Sequence, residues 1–199
     1  NENLVKNGTI IIRERLKLLE VLKVSFIKYM SYFFRGINFD IFYVFSWSGS
    51  DLQEDNSNSE ADNVYESGYI KNNGCLSGYS GSADEKYISD TFLNNLILRT
   101  KKDIMSKNTS TGPHRDDIII TIDGKDIRYF GSQGQQRMSS ICLKLAELEV
   151  LKENIDRKPV LLLDDVLSEL DIERKALLLK LIEDNFQTFI TAANFEYIK

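Results

Sequence analysis

Two neighbouring carboxylates, Asp164 and Asp165, close the run VLLLDD, and the aliphatic residues ahead of them read as a fully buried strand. A carboxylate beside apolar surface needs a cation, a metal or several hydrogen-bond donors, because an unpaired buried charge is strongly disfavoured. Acids at the carboxyl end of a parallel strand stand where open α/β sheets place ligands, and there one can hold magnesium through water while its neighbour orients an attacking water. The same pair can equally open a polar loop after a strand. A second stretch, GSQGQQR from Gly131 to Arg137, is a short Gly/Ser loop leading into a helix. Such a loop turns backbone N–H groups and the positive end of the helix dipole toward an anion, although a tight turn with Gln at a helix start has the same composition. Downstream of it come, in order, a helix, a strand, the acid pair and then SELD, Ser168 to Asp171. That order favours one phosphate-handling site over separate accidents.

The elements that position these residues follow from periodicity. IIIRERLKLLEVLKVSFIKYMSYFFRG carries Leu16, Leu19, Leu22, Phe26, Tyr29 and Phe33 at three-to-four spacing and predicts a long amphipathic helix that stops at Gly36. INFDIFYVFSW, rich in aromatic and β-branched residues, predicts a strand. Residues 48–84 are rich in Ser, Asn, Gly and Asp, with too few apolar side chains to pack alone, and predict a mobile surface loop. Tyr87, Phe92, Leu96 and Ile104 restore helical spacing in a segment that ends in a Lys/Arg-rich turn.

Pro113 in TGPHRDD marks a boundary, after which strands and helices alternate. DIIITIDGKDIRYF predicts two strands joined by a turn at Asp123-Gly124. A helix after GSQGQQR should place Ile141, Leu145, Leu148, Leu151 and Ile155 on one face; Pro159 leads into VLLLD; Asp171 caps a helix carrying Leu177, Leu178 and Leu181; and FQTFITAA forms a last strand.

Composition bounds the function classes. With 199 residues, 42% hydrophobic and 28% charged, the chain predicts a soluble globular protein with a packed core, and a net charge of −5 excludes a global basic field for nucleic acid. Cys75 and Cys142 lack the spacing of a zinc site or a disulfide framework and suit a reducing cytoplasm. Apolar runs are broken by Lys, Arg or Asp well before bilayer length, so the expected location is cytoplasmic, with no membrane partner. Local phosphate contacts need clustered cations, which Arg99, Lys101, Lys102 and Lys107 offer, as do Arg13, Arg15 and Lys17; a solvated helix face has the same appearance.

Taken together, the motifs resemble a known family. GSQGQQR resembles the signature loop of ABC-type ATPases, VLLLDD the Walker B strand and SELD the D-loop, while TGPHRDD followed by FGSQGQQR and LLLDDVLSELD is similar to the pattern of the RecF family of DNA repair proteins. The resemblance is close from Gly112 to Ala193 and one of layout upstream. It implies an α/β fold: a mostly helical α+β arm over residues 1–111 and an incomplete ABC-type ATPase head over 112–199. It also implies a slow ATPase that binds ATP, magnesium and DNA as an ATP-dependent dimer, and that assists recombinase loading at gaps or single-strand/double-strand junctions with RecO and RecR partners during DNA replication, repair and the SOS response.

By the same resemblance, Asp164 is the magnesium-associated acid and Asp165 stands at the catalytic position, one methylene shorter than the glutamate of many related ATPases. Ser132, Gly134 and Gln135 would meet the γ-phosphate held by a partner subunit, and Ser168, Glu169, Leu170 and Asp171 would form the D-loop across the dimer interface. Ala192, Ala193 and Asn194 stand where many relatives have a switch histidine, so no switch residue is assigned. His114 and Arg115 match the family motif, but their spacing identifies no chemistry. No G-x-x-x-x-G-K-[ST] occurs, so the loop that cradles the β- and γ-phosphates is expected upstream of residue 1 and this chain alone is expected to be inactive. The alternatives are a structural ATPase of the SMC type, which the short first helix disfavours, and a non-enzymatic interaction module that keeps the shape of the head.

Overall fold

The computed structural model describes residues 2–47, 75–76, 85–155 and 159–192. Helices and strands run in the order α1 (Glu2–Phe33), β1 (Phe39–Val44), β2 (Cys75–Leu76), α2 (Glu85–Ser106), β3 (Asp117–Ile122), β4 (Lys125–Asp126), α3 (Ile127–Phe130), α4 (Gln133–Asn154), β5 (Val160–Asp164), a 3-10 turn (Val166–Glu169), α5 (Ile172–Asn185) and β6 (Gln187–Thr191). The architecture is mixed α/β. No described helix is long and apolar enough to cross a membrane. Apart from Cys75–Leu76, which pairs antiparallel with Tyr43–Val44 of β1, the loop expected over 48–84 lies outside the described residues.

The chain forms two compact units, Asn1–Glu20 with Asp40–Asp126, and Val21–Phe39 with Ile127–Lys199. In the first, a four-stranded sheet of order β2-β1-β3-β4 accompanies the amino-terminal turns of α1 and the whole of α2. Its helical packing centres on Phe92, fully buried with Val5 and Leu96, and Trp47 stacks on it at 5.6 Å between ring centroids. Two glycines make that packing possible. A Cβ on Gly8, within α1, would collide with the Phe92 ring, and one on Gly112 would lie 3.2 Å from it. Gly8 therefore offsets its roughly 1 kcal/mol helix-propensity cost by letting the ring approach.

The same unit assigns TGPHRDD a role. Asp116 accepts from the Tyr43 hydroxyl at 2.6 Å and from the Ser46 backbone N–H at 2.8 Å; Ser46 Oγ accepts from Gly112 N at 2.9 Å; and Arg15 donates to the Pro113 carbonyl. His114 Nε2 lies 3.0 Å from the Thr109 carbonyl, which also accepts from Arg115 Nε at 3.3 Å. The motif is a polar clasp between the end of β1 and the entry to β3. Burial, reinforced by the Asp116 carboxylate, pushes the Tyr43 phenol up, so it stays a hydrogen-bond donor.

In the second unit, α4 buries Met138, Ile141, Cys142, Leu145, Ala146 and Leu148; the end of α1 contributes Phe26 and Met30, and α5 contributes Leu178 and Ile182. Each buried Leu, Ile, Met or Phe side chain of this set is worth about 1.5–3 kcal/mol when removed from water.

Several expectations are corrected. The first helix starts at Glu2, eight residues ahead of the apolar run; its stop at Gly36 holds, with φ +76°. Tyr87 and Ile104 of α2 are exposed, as are Leu151 of α4 and Ile155 beyond it, so the buried stripes are shorter than the spacing implied. The second strand of the hairpin ends at Asp126, and IRYF is a helical turn, α3, because its carbonyls find a different donor: Gln136 Nε2 lies 3.1 Å from the Ile127, Arg128 and Gly131 oxygens. β5 is not fully buried. Leu161 and Leu163 point inward, whereas Leu162 is 72% exposed and faces the same side as its register partner Phe189, 60% exposed. An all-aliphatic strand implies two covered faces, and the described residues cover one.

Candidate functional site

Both sequence motifs lie in the second unit. β5 and β6 pair in parallel from Val160↔Gln187 to Asp164↔Thr191, so the acid pair and Thr191 share the carboxyl end of the sheet. Asp164 and Asp165 are exposed. The Thr191 hydroxyl donates to Asp164 Oδ1, and the Asp165 backbone N–H reaches Thr191 Oγ1 at 3.1 Å and the Thr191 carbonyl at 3.2 Å. Asp165 adopts the left-handed conformation, φ 49° and ψ 26°, and precedes the 3-10 turn without giving it a side-chain cap. That backbone costs a non-glycine residue on the order of 1 kcal/mol, least for Asp and Asn. The turn it makes sends the chain away from the strand immediately after Asp164, so consecutive acids leave the sheet edge by different routes. Among the described residues no cluster of three His, Cys, Asp or Glu side chains forms a metal cage.

At the other motif, Ser132 is the N-cap of the 22-residue α4. Its Oγ accepts from Gln135 N at 3.3 Å, and Gln135 Oε1 accepts from Ser132 N at 2.8 Å, a reciprocal capping box. Among the described residues the serine hydroxyl acts only as an acceptor, and both its proton and the Gln135 amide NH2 group are chemically able to donate to an anion. Gly134 sits in the first turn, where a Cβ would come 3.9 Å from Arg174 Nη1. Gln136, next along, braces the loop from behind through α3.

SELD is split. Ser168 and Glu169 end the 3-10 turn, Leu170 is buried beside Leu167, and Asp171 caps α5 by accepting from Arg174 N at 2.9 Å. The backbone N–H of Arg174, against an opposing effect of burial and helped by the guanidinium, holds the Asp171 carboxyl below the usual aspartate range.

The basic candidates lie in the first unit: Arg99, Lys101 and Lys102 in α2 ahead of its last turn, and Lys107 just past its end at φ 54°. That last turn holds no basic residue where a Lys/Arg-rich end was expected, because the helix runs on to Ser106. Lys101, Lys102 and Lys107 are exposed, Arg99 half-buried. On α1, Arg13 pairs with Glu85, Arg15 with the Pro113 carbonyl and Lys17 with Glu14, so these cations already have protein partners.

No family model matches the sequence. The DNA replication and repair protein RecF of Clostridium novyi is 39% identical over 191 residues, 96% of this chain and 43% of that relative. RecF of Natranaerobius thermophilus is 52% identical over 109 residues, 55% of this chain and 28% of that protein. A solved structure of the recombination mediator protein RecF-ATP in the RecFOR pathway superposes on the entire chain with a TM-score of 0.70 at 35% identity, covering 44% of that structure. The chain belongs to the RecF family. It spans under half the length of these RecF relatives, and the RecF-ATP match takes in the α4 loop, the acid pair and the clasp alike.

The site residues that the sequence alone does not single out are Thr191, Gln136 and Arg174. Thr191 carries a faint signal, a polar residue ending the apolar run FIT. Gln136 and Arg174 carry none: Gln136 reaches back to carbonyls of a segment that reads as a strand, and Arg174 meets Phe34 only across the fold.

Proposed function

We propose that this chain provides the signature, Walker B and D-loop portion of a RecF-type ATPase that dimerises on ATP, acts on DNA and takes part in replication and repair. The observation that supports it best is the N-cap of α4: Ser132 caps the helix as an acceptor only, so its hydroxyl proton and the first-turn N–H groups can meet an anion brought from outside. In this reading Ser132, Gly134 and Gln135 receive the γ-phosphate bound to a second subunit, and Asp171 with Ser168 to Leu170 lies along the seam between subunits.

The donor set around the acids suits magnesium held at one remove. Thr191 occupies one oxygen of Asp164, the other can accept from a metal-bound water, and a lone carboxylate with waters and phosphate oxygens is an ordinary magnesium environment. When bound, the ion supplies charge neutralisation to the triphosphate. Asp165, displaced from the strand axis by its left-handed backbone, orients and deprotonates the attacking water.

Residues 1–111 then correspond to the arm and 112–199 to the head, although the clasp built by Gly112 to Asp116 packs with the first unit. Arg99, Lys101, Lys102 and Lys107 are the proposed DNA contacts, at single-strand/double-strand junctions, and RecO- and RecR-type mediators are the proposed partners in recombinase loading.

The test is sedimentation of a head completed with the portion of the Clostridium novyi relative that lies outside the match. With ATPγS, the parent should dimerise and Ser132→Arg should remain monomeric while still binding nucleotide. A dimer undisturbed by Ser132→Arg removes the trans contact.

A further inference from the structure

Arg174 joins three segments of the second unit. Its backbone N–H donates to Asp171 Oδ1 at 2.9 Å and its Nη1 donates to Asp171 Oδ2. Its guanidinium carbon lies 4.5 Å from the centroid of the Phe34 ring, at the end of α1. The same Nη1 stands 3.9 Å from the position of a Cβ on Gly134, in the first turn of α4.

The cap itself does not require an arginine, because it uses the backbone N–H that almost any residue at 174 supplies. The side chain is nevertheless held, with Nε buried and without a hydrogen-bond partner among the described residues. A buried unpartnered donor costs about 1–3 kcal/mol. A solvated Arg174 would avoid that cost, so the offsetting gain lies in the contacts of the guanidinium: the charged bond to Asp171 and the stacking over Phe34. The guanidinium is bonded to the last residue of SELD and stands next to the first turn of α4, where a side chain at 134 would touch it, so a planar group of fixed shape transmits displacement of one to the other.

The geometry points to Arg174 as a positioning residue that couples Asp171 to the start of α4 around Gly134 and Gln135. Its bearing on nucleotide-dependent pairing rests on the function proposed above; the coupling does not. Arg174 acts through these two segments. It sets the spacing between two surfaces that would meet the partner subunit together.

A cycle of amide chemical shifts on the 199-residue chain tests the coupling without nucleotide. Asp171→Asn keeps the helix cap but removes the charge that anchors the guanidinium. It should move the Gly134 and Gln135 amides in the parent background, and by about half as much or less when Arg174→Ala is also present, the signature of pairwise dependence. Arg174→Lys, which keeps the charge without the planar face, should fall between, and it replaces the alanine background if that variant does not fold. Gly134 and Gln135 unmoved by Asp171→Asn, or moved equally in both backgrounds, would reduce Arg174 to a helix-capping neighbour and overturn the inference. In the completed head, Arg174→Ala should leave nucleotide affinity per subunit unchanged and weaken ATPγS-dependent pairing about tenfold, a coupling within the usual range. Pairing unaltered by Arg174→Ala would overturn the inference there; a parent head that never pairs would refute the proposed function while the shift cycle stands.

Discussion

The Thr191 hydroxyl donates to Asp164 and accepts from the backbone N–H of Asp165, so one side chain of β6 fixes both acids at the end of β5. The parallel register places Thr191 directly beside Asp164, and the same threonine's carbonyl accepts a second bond from Asp165 N. The acid pair is thus held from the neighbouring strand, and its geometry is a property of the sheet.

Thr191→Val keeps the β-branched shape and removes only the hydroxyl. The chain should lose about 0.5–1.5 kcal/mol, the usual net worth of a hydrogen bond. A lowered urea midpoint with an unchanged slope is the expected result, and an unaltered midpoint would make the hydroxyl incidental.

In the completed head, Asp165→Asn should slow hydrolysis by about 10²- to 10⁴-fold, the contribution of a positioned base, while ATPγS-dependent dimers persist. Asp164→Asn should instead raise the magnesium concentration needed for half-maximal binding. Steady-state turnover and a magnesium titration separate the two; parental turnover in Asp165→Asn would leave that residue a structural role only.

Mg-ATP should show no saturable binding to this chain by itself. The G-x-x-x-x-G-K-[ST] loop, whose lysine reaches the β- and γ-phosphates, does not occur in it. Titration calorimetry decides the matter, and a micromolar isotherm would contradict the division of labour proposed between this chain and the portion that completes the head.

Gln136→Leu removes the amide that bridges the carbonyls of Ile127, Arg128 and Gly131. A loss of about 1–3 kcal/mol is expected because acceptors are left without their donor. Exchange of the α3 amides should accelerate, and stability unchanged on both measures would argue that solvent satisfies the corner equally well.

Acid should weaken the cap of α5. Asp171 has its carboxyl held below the usual value in the folded chain, so its ionised form adds stability above about pH 4, lost as pH falls through the unfolded value and then the folded one. Asn also caps helices well. The stability gap between parent and Asp171→Asn should therefore narrow between about pH 5 and pH 3, and a constant or widening gap across denaturation curves would reverse the sign.

The helices that carry the site were legible because their caps are local: Ser132 with Gln135, and Asp171 with Arg174, lie three residues apart, within reach of a pattern. The order of loop, helix, strand and acids was legible for the same reason. Where tertiary contacts decide, local pattern ran out. IRYF has the β-branched and aromatic character of a strand, yet Gln136, several residues on, holds it as a turn of helix. Four aliphatic residues in VLLLD say that the strand is apolar, without saying what covers Leu162. Thr191 reaches Asp164 across 27 residues of chain, a contact that exists only in the folded sheet.

That separation has a kinetic side. A parallel pair is closed by a crossover, here the 3-10 turn and α5, and loop-closure entropy must be met before β6 contributes any bond to β5. Helices α4 and α5 can form early on their own caps, whereas the Asp164–Thr191 bond waits for the last strand to dock. The order runs backwards on opening: detachment of β6 removes the partner that holds the acids while the caps of both helices stay local, so the fixed geometry of the acid pair is gained last in folding and lost first in a local fluctuation.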